Sequence, residues 1–300
     1  MSRVGIVFTK MHGLGNNYIY IDCWKTPLAE EELPSLAIEA SNVNTGIGSD
    51  GLILISPSHI ADVKMRIFNK DGSEGNNCGN GLRCVAKYAF EKGYAHSKQM
   101  SIETKSGIIN ATILSYNSHT AQVLVDMGNP LLARHEIPMT GNNTPKIIAE
   151  PFIIDGKILH LTAVSMGNPH AVFFVPTIDQ SPHLILGPKI EKDPRFPEGV
   201  NVEFIAVRNP TTIDFRVWER GSGATQACGT GACAAVVAAI LNRHCNRDEM
   251  ITVHLPGGDL QIEWTSRGNV LMSGPATTIA TGSFFTREIS LRVPEKAVCF

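Results

Sequence analysis

The chain repeats itself at an offset of 150 positions within a length of 300 residues. Residues 78–84 read CGNGLRC, and residues 228–234 read CGTGACA. The flanks align as well. Met65-Arg66-Ile67-Phe68 falls on Phe215-Arg216-Val217-Trp218, and Leu52-Ile53-Leu54-Ile55 falls on Val202-Glu203-Phe204-Ile205. These runs are rich in β-branched and aromatic residues, as strands are. In each half a Gly-containing loop, KDGSEGNN or RGSGATQA, leads to a cysteine and then to an apolar, helix-prone segment. Chance can place one short phrase twice, but it rarely places the flanking elements in register. The natural account is a duplicated domain, so two similar units can present like ends to each other.

Composition narrows the class. Hydrophobic residues make up 43% of the chain and charged residues 18%, enough for a globular core and against disorder. The formal net charge is −2, with no basic stripe for nucleic acid or an anionic membrane. The longest apolar run, Cys233–Leu241, is far short of the roughly 20 residues that span a bilayer. MSRVGIVFTK at the N-terminus lacks an apolar signal core. The expectation is a soluble cytoplasmic protein.

Seven cysteines stand at 23, 78, 84, 228, 233, 245 and 299. An odd, scattered set is no disulfide framework. The C-x₅-C and C-x₄-C spacings do not suit a structural zinc site either, so no metal is expected. Cys23, Cys84, Cys233, Cys245 and Cys299 read as small buried hydrophobes.

The pattern predicts many strands: 4–9, 18–22, 52–56, 64–69, 99–104, 108–115, 120–126, 147–154, 158–165, 171–175, 202–207, 213–219, 250–255, 259–264 and 269–273. Helices are predicted at about 29–41, 81–92 and 231–243. The last is apolar almost all round, which places it inside a protein, with a sheet wrapped about it. The segment 176–199 carries five prolines and reads as irregular.

A cysteine at a helix start sits among free backbone N–H groups and the positive end of the helix dipole, which favour its thiolate. The glycines that follow let the backbone approach a ligand and form an anion pocket fit for a carboxylate. The phrases lack the Lys-Ser/Thr of a phosphate loop and the dinucleotide fingerprint. A single nucleophilic cysteine paired with His170 would leave the second cysteine idle. Two matched thiols facing each other explain both: one takes a proton from carbon, and the other returns one on the opposite face. That chemistry inverts a stereocentre, with the helix ends stabilising the charge that develops.

FNKDGSEGNNCGNGLRC, SMGNPHAV and WERGSGATQACGTGACAA, with MHGLGNNYI and GIGSDGLILI, resemble the diaminopimelate epimerases over about residues 6–285. The resemblance implies an α/β (α+β) fold of two similar domains. Each is a mostly antiparallel, barrel-like sheet around a central helix, and the last core strand returns to the first domain. Domain boundaries follow at 1–122 plus 275–300 for the unit carrying Cys78, and 123–274 for the unit carrying Cys228. The implied activity is interconversion of LL- and meso-2,6-diaminopimelate in lysine and peptidoglycan precursor synthesis, without pyridoxal or other cofactor.

By position, Cys78 and Cys228 match the family's acid/base pair. Gly79, Asn80, Gly229 and Thr230 match its pocket for the reacting carboxylate and amine, and Asn16 a further binding position. Asn69, Asn168, Asn201 and Arg220 match groups that hold the distal end of the substrate. Glu219 matches a binding residue and, with His170, a pair that tunes the thiols. Asn17, Lys70 and Gly51 depart from the family pattern, Gly51 standing where some members carry Gln.

Two other readings are open to the sequence: a proline-type racemase, whose first phrase usually reads CGHG, and a non-catalytic amino-acid-binding module. Relatives of this fold that lack the cysteines and isomerise through a carboxylate conflict with Cys78 and Cys228. Partners beyond a small-molecule substrate, nucleic acid and membrane included, are not expected. The oligomeric state is not legible, though a homodimer is compatible with the sequence.

Overall fold

A computed structural model describes residues 5–75, 79–142 and 144–286. The N-terminal half runs β1 (Ile6–Gly13), β2 (Asn16–Asp22), α1 (Leu33–Ser41), β3 (Gly51–Ser56), β4 (Val63–Asn69), β5 (Glu74–Gly75), α2 (Gly79–Lys92), β6 (Gln99–Thr104), β7 (Gly107–Tyr116) and β8 (Thr120–Asp126). The C-terminal half runs β9 (Glu150–Ile154), β10 (Lys157–Ser165), β11 (Pro169–Phe174), α3 (His183–Glu191), β12 (Asn201–Asn209), β13 (Thr212–Glu219), β14 (Gly223–Ala224), α4 (Gly229–Leu241), β15 (Ile251–Leu255), β16 (Gly258–Trp264) and β17 (Val270–Phe284).

The two halves repeat in pairing as well as in order. β2 lies parallel to β3, and β11 lies parallel to β12. β4 lies parallel to β6, and β13 to β15. The other ladders are antiparallel, so the sheet is mostly antiparallel, as the resemblance implied. One element joins the halves. β17 pairs with β16 over its first residues, with β8 through Leu271–Thr277, and with β1 through Thr277–Phe284. The ladders therefore connect into a single hydrogen-bonded sheet of 17 strands, bent about two helices.

Each central helix fits the space it fills. α4 is built from Ala, Val, Gly, Thr and Cys up to Ala239, and every residue from Gly229 to Ala239 is buried. Small side chains give a narrow cylinder that strands can surround, and β10, β11, β12, β13, β15, β16 and β17 all touch it. α2 is buried from Gly79 to Ala89, yet it carries two cations with no exposed surface, Arg83 and Lys87. They stand four residues apart, on one side of the helix. Both reach β17: Arg83 Nε donates to the Pro275 carbonyl at 3.2 Å and Lys87 Nζ to Thr278 Oγ1 at 2.8 Å. Lys87 also pairs with Glu91 at 2.5 Å.

Several expectations are corrected. Residues 176–199 are not wholly irregular, for a 3₁₀ turn spans Ile178–Gln180 and α3 spans His183–Glu191. Leu186 and Ile190 bury against the sheet, and that packing outweighs the prolines, including Pro188 inside the helix. The strand expected at 269–273 runs on to Phe284, because its second part finds an edge on β1. The strand expected at 4–9 begins at Ile6 and extends to Gly13, and that expected from 147 begins at Glu150. Cys84, Cys233 and Cys245 are buried as expected, but Cys23 is only partly so, and Cys299 lies outside the described residues. Gly51 leaves no room for the Gln that some members of the resembled family carry there. A Cβ there would lie 2.2 Å from the Phe68 carbonyl oxygen, across the β3–β4 ladder.

Candidate active site

The two central helices begin against each other. A Cβ built on Gly79 would stand 3.8 Å from the Gly229 Cα, and one built on Gly229 would stand 3.7 Å from the Gly79 Cα. Met272 lies beneath both, with its Cε 3.0 Å from the first of these points and its Sδ 3.2 Å from the second. The N-terminal ends of α2 and α4 therefore converge, bringing two helix first turns and two positive dipole ends to one place. A hydrogen bond joins the phrases directly: Asn80 Nδ2 donates to the Ala227 carbonyl at 3.2 Å.

Cys228 is the N-cap of α4. Its backbone is extended, and its Sγ accepts from the Gly231 N–H at 3.4 Å. Thr230 Oγ1 lies 3.5 Å from the same sulfur. Cys78, its counterpart before α2, lies outside the described residues.

Behind Cys228 stands a cluster of ionisable groups from three adjacent strands. Glu219, at the end of β13, accepts hydrogen bonds from the Thr225 hydroxyl and the Cys228 thiol. Glu203, on β12, has no exposed surface, and its Oε1 lies 2.7 Å from His170 Nδ1 on β11. The other nitrogen of that ring, Nε2, lies 3.0 Å from Asn168 Oδ1. Burial pushes Glu219 above the usual carboxylate range, against the hydrogen bonds from Thr225 and Cys228. Burial likewise raises Glu203, with His170 opposing.

The sequence predicts a thiolate-favouring position for Cys228, and the structure reverses that sign. Burial pushes the thiol well up, the Glu219 and Glu203 carboxylates add to it, and the Thr230 and Gly231 hydrogen bonds only partly offset them. The helix-start position is legible in the phrase CGTG. The carboxylates behind it come from strands 9 and 25 residues upstream.

The N-terminal side has a different character. Asn80 Oδ1 accepts from Arg83 Nη2 at 2.8 Å, and Asn80 Nδ2 donates to Asn16 Oδ1 at 3.1 Å. Asn16 Nδ2 in turn donates to Asp50 at 3.0 Å. Arg83 Nη1 reaches the Gly79 carbonyl at 3.3 Å, so a guanidinium underlies the first turn of α2. Asn17, at a family departure, also donates to Asp50 through its backbone N–H at 2.8 Å.

The expected distal group is partly assembled. Asn201 Oδ1 accepts from the Arg220 N–H at 3.0 Å, and Asn201 Nδ2 donates to the Pro169 carbonyl at 2.9 Å. Arg220 is exposed, and its Nη1 donates to the Glu198 carbonyl at 2.8 Å. Asn168 joins this region through His170. Asn69 instead bonds within its own loop, to Ser73 Oγ at 3.0 Å, and no hydrogen bond among the described residues ties it to the other candidates.

Two residues that sequence reading passes over emerge here, Glu203 and Arg83. A signal for Glu203 was present. It interrupts an apolar strand, and it aligns with Ile53 in the repeat.

Gly231 is held to glycine by the same cluster. A Cβ there would lie 2.8 Å from Glu203 Oε1, 3.2 Å from Cys228 Sγ and 3.2 Å from Phe215 Cζ. Helix propensity favours Ala over Gly by about 1 kcal/mol. Gly231→Ala is nevertheless expected to lower kcat by about 100-fold, because it displaces the sulfur and the carboxylate together. Steady-state kinetics beside a thermal melt would check this, and an unaltered kcat would contradict it.

Three comparisons bear on this arrangement. The sequence profile of the family described as Diaminopimelate epimerase matches residues 8–133 and 162–279. A diaminopimelate epimerase of Oceanobacillus iheyensis is 60% identical over 283 residues, covering 94% of this chain and 99% of that one. The Bacillus subtilis diaminopimelate epimerase is 56% identical over 278 residues, covering 93% and 98%. Among solved structures, a Bacillus anthracis phenazine biosynthesis protein of the PhzF family superposes with a TM-score of 0.68 at 16% identity, covering 93% and 99%. A hydroxyproline epimerase from Agrobacterium vitis superposes with a TM-score of 0.65 at 13% identity, covering 94% and 92%. At such identities the structural likeness speaks for the fold.

Proposed function

Because this chain belongs to the diaminopimelate epimerase family, we propose that Cys78 and Cys228 act as one acid/base pair on a single α-carbon. The reaction is the interconversion of LL- and meso-2,6-diaminopimelate, on the route to lysine and peptidoglycan precursors. The meeting of the α2 and α4 N-termini at Gly79 and Gly229 carries this reading.

In the proposed mechanism one cysteine, as thiolate, removes the α-proton, and the opposite cysteine, as thiol, delivers a proton to the other face. The roles exchange when the direction reverses. The carbanion that forms is stabilised through the substrate's α-carboxylate. The first turns of the two helices, at Gly79, Asn80, Gly229 and Thr230, bind that carboxylate and amine, so their N–H groups meet the charge where it develops. Asn16 supports this pocket from β2 through Asn80. Arg220, Asn201, Asn168 and Asn69 hold the distal amino acid head group, Arg220 by gripping its carboxylate. A second head group of this kind is what proline lacks, which favours diaminopimelate over a proline-type substrate. Glu219 and His170 tune the C-terminal thiol.

The domain division that goes with this reading places 1–122 and 275–300 in one unit and 123–274 in the other. Both divisions fall within β8 and β17, the strands that cross between the halves. We read the protein as cytoplasmic and in need of no cofactor. No helix among the described residues is long and apolar enough to cross a membrane.

The test is exchange with solvent. In D₂O, turnover is expected to place deuterium at one α-carbon of diaminopimelate, read by mass spectrometry or proton NMR. Epimerisation without deuterium uptake would rule out proton transfer through thiols. Binding without any exchange would point to the amino-acid-binding module instead.

A further inference from the structure

The repeat exposes an asymmetry between the half-sites. The positions 150 residues before His170, Glu203 and Glu219 hold Tyr20, Ile53 and Asn69. The sequence of the N-terminal half therefore offers neither a carboxylate nor an imidazole at the three positions that supply them behind Cys228. His170 and Glu219 match residues the family uses, and Glu203 does not.

Glu203 is placed as few strand carboxylates are. It is wholly buried, and its Oε2 has no hydrogen-bond partner among the described residues. Such an atom is costly to keep, and its retention asks for a reason. Its Oε1 faces two ways. It lies 2.7 Å from His170 Nδ1, and it shares with Cys228 Sγ the narrow space beside Gly231, 2.8 Å and 3.2 Å from one point. Because His170 Nε2 faces Asn168 Oδ1, both ring nitrogens meet acceptors. His170 thus bridges Asn168 and Glu203, and the carboxyl end of that chain lies beside the sulfur.

We propose that Glu203 is a positioning residue for the C-terminal thiol: it orients His170, and its carboxyl group beside the sulfur favours the thiol over the thiolate at Cys228 in the resting site, so that Cys228 stands ready as the proton donor there and becomes the base once it has given its proton up. The groups facing Cys228 in this account are Glu203 from β12, Glu219 from β13, and Thr230 and the Gly231 N–H from α4, with His170 from β11 one step behind. The raised Cys228 thiol agrees with this geometry. The assignment of a proton donor rests on the two-thiol reading above, while the effect of Glu203 on the sulfur does not.

The experiment measures the pH at which Cys228 alkylates at half its maximal rate, by iodoacetamide labelling with peptide-resolved mass spectrometry, in the full chain. In Glu203→Gln the half-point is expected to fall by about one pH unit, since a like charge has been removed. In the same variant kcat should fall about tenfold with KM changed less than about threefold. Glu203→Asp keeps the charge and should return the half-point toward that of the unaltered protein. A half-point unmoved in Glu203→Gln, or moved equally in Glu203→Asp, would overturn the proposal. Should Glu203→Gln fail to fold, the unaltered protein decides. A Cys228 half-point above the ordinary thiol range of about 8.5 supports the proposal, and one at or below it overturns it. Failure of the epimerase reading would appear separately, as absent turnover in the unaltered protein with the labelling shift intact.

Discussion

Cys228→Ala is expected to abolish epimerisation, with a loss of about 10³-fold or more in kcat, while the protein stays folded. The sulfur has a structural duty as N-cap of α4, and losing a cap costs about 1 kcal/mol. That is a modest share of the roughly 5–15 kcal/mol that holds a domain together. Cys228→Ser separates the two duties. Serine is a preferred N-cap, so the helix start should be at least as stable as before. Its hydroxyl is a far weaker acid than a thiol, so activity should still fall to a trace. Circular dichroism and melting should therefore report two folded variants, and a coupled assay two nearly inactive ones. An alanine variant retaining a tenth of the normal rate would sink the two-thiol mechanism. Cys78→Ala is expected to behave the same way, because inversion needs a group on each face.

The largest expected effect on stability belongs to Arg83→Met. Its guanidinium is wholly buried, donating to the carbonyls of Pro275 and Gly79 and to Asn80 Oδ1, with Met272 Sδ 3.7 Å from Nη1. Methionine fills much of the volume but leaves those acceptors stranded, at about 1–3 kcal/mol each. A total of about 3–5 kcal/mol is expected, in the range for breaking a buried charged network. For a chain of this size that lowers the melting temperature by about 10 °C. Arg66 is the control. It is a partly exposed cation bridging Glu30 and Glu74, and Arg66→Met should cost about 1 kcal/mol or less. A larger loss at Arg66 than at Arg83 would contradict this ranking. Asn80 loses a partner in Arg83→Met, so activity should fall along with stability.

How much of this was legible depended on where the information lay. The repeat carried the architecture, because strand pattern and helix starts are local and were written twice. It held more than direct reading took from it. α3 aligns with α1 at the same offset, and the duplication pointed to a helix where the prolines argued for none. The second part of β17 was illegible because its partner, β1, lies at the other end of the described chain. Among site residues, Cys228, Thr230, Glu219, His170 and Asn168 come together, as do Asn16 with Asn80 and Asn201 with Arg220. The charge state of Cys228 could not be read from its own phrase. It is set first by burial and then by carboxylates on neighbouring strands, and a helix-start argument counts only the helix.

The path of β17 bears on synthesis. While a nascent chain emerges from the ribosome, the half containing α2 is finished early except for the two ladders that β8 and β1 make with β17. Its β1 edge, Ile6–Gly13, stays open until the strand that covers it has been translated more than 250 residues later. An open edge beside a forming barrel is a template for wrong pairing. The first-made half must therefore wait for the last-made strand, and the N-terminal ends of α2 and α4 can meet only after both barrels are closed by it. A chain stopped before residue 270 would lack closure on both sides at once, so the two halves mature as one unit.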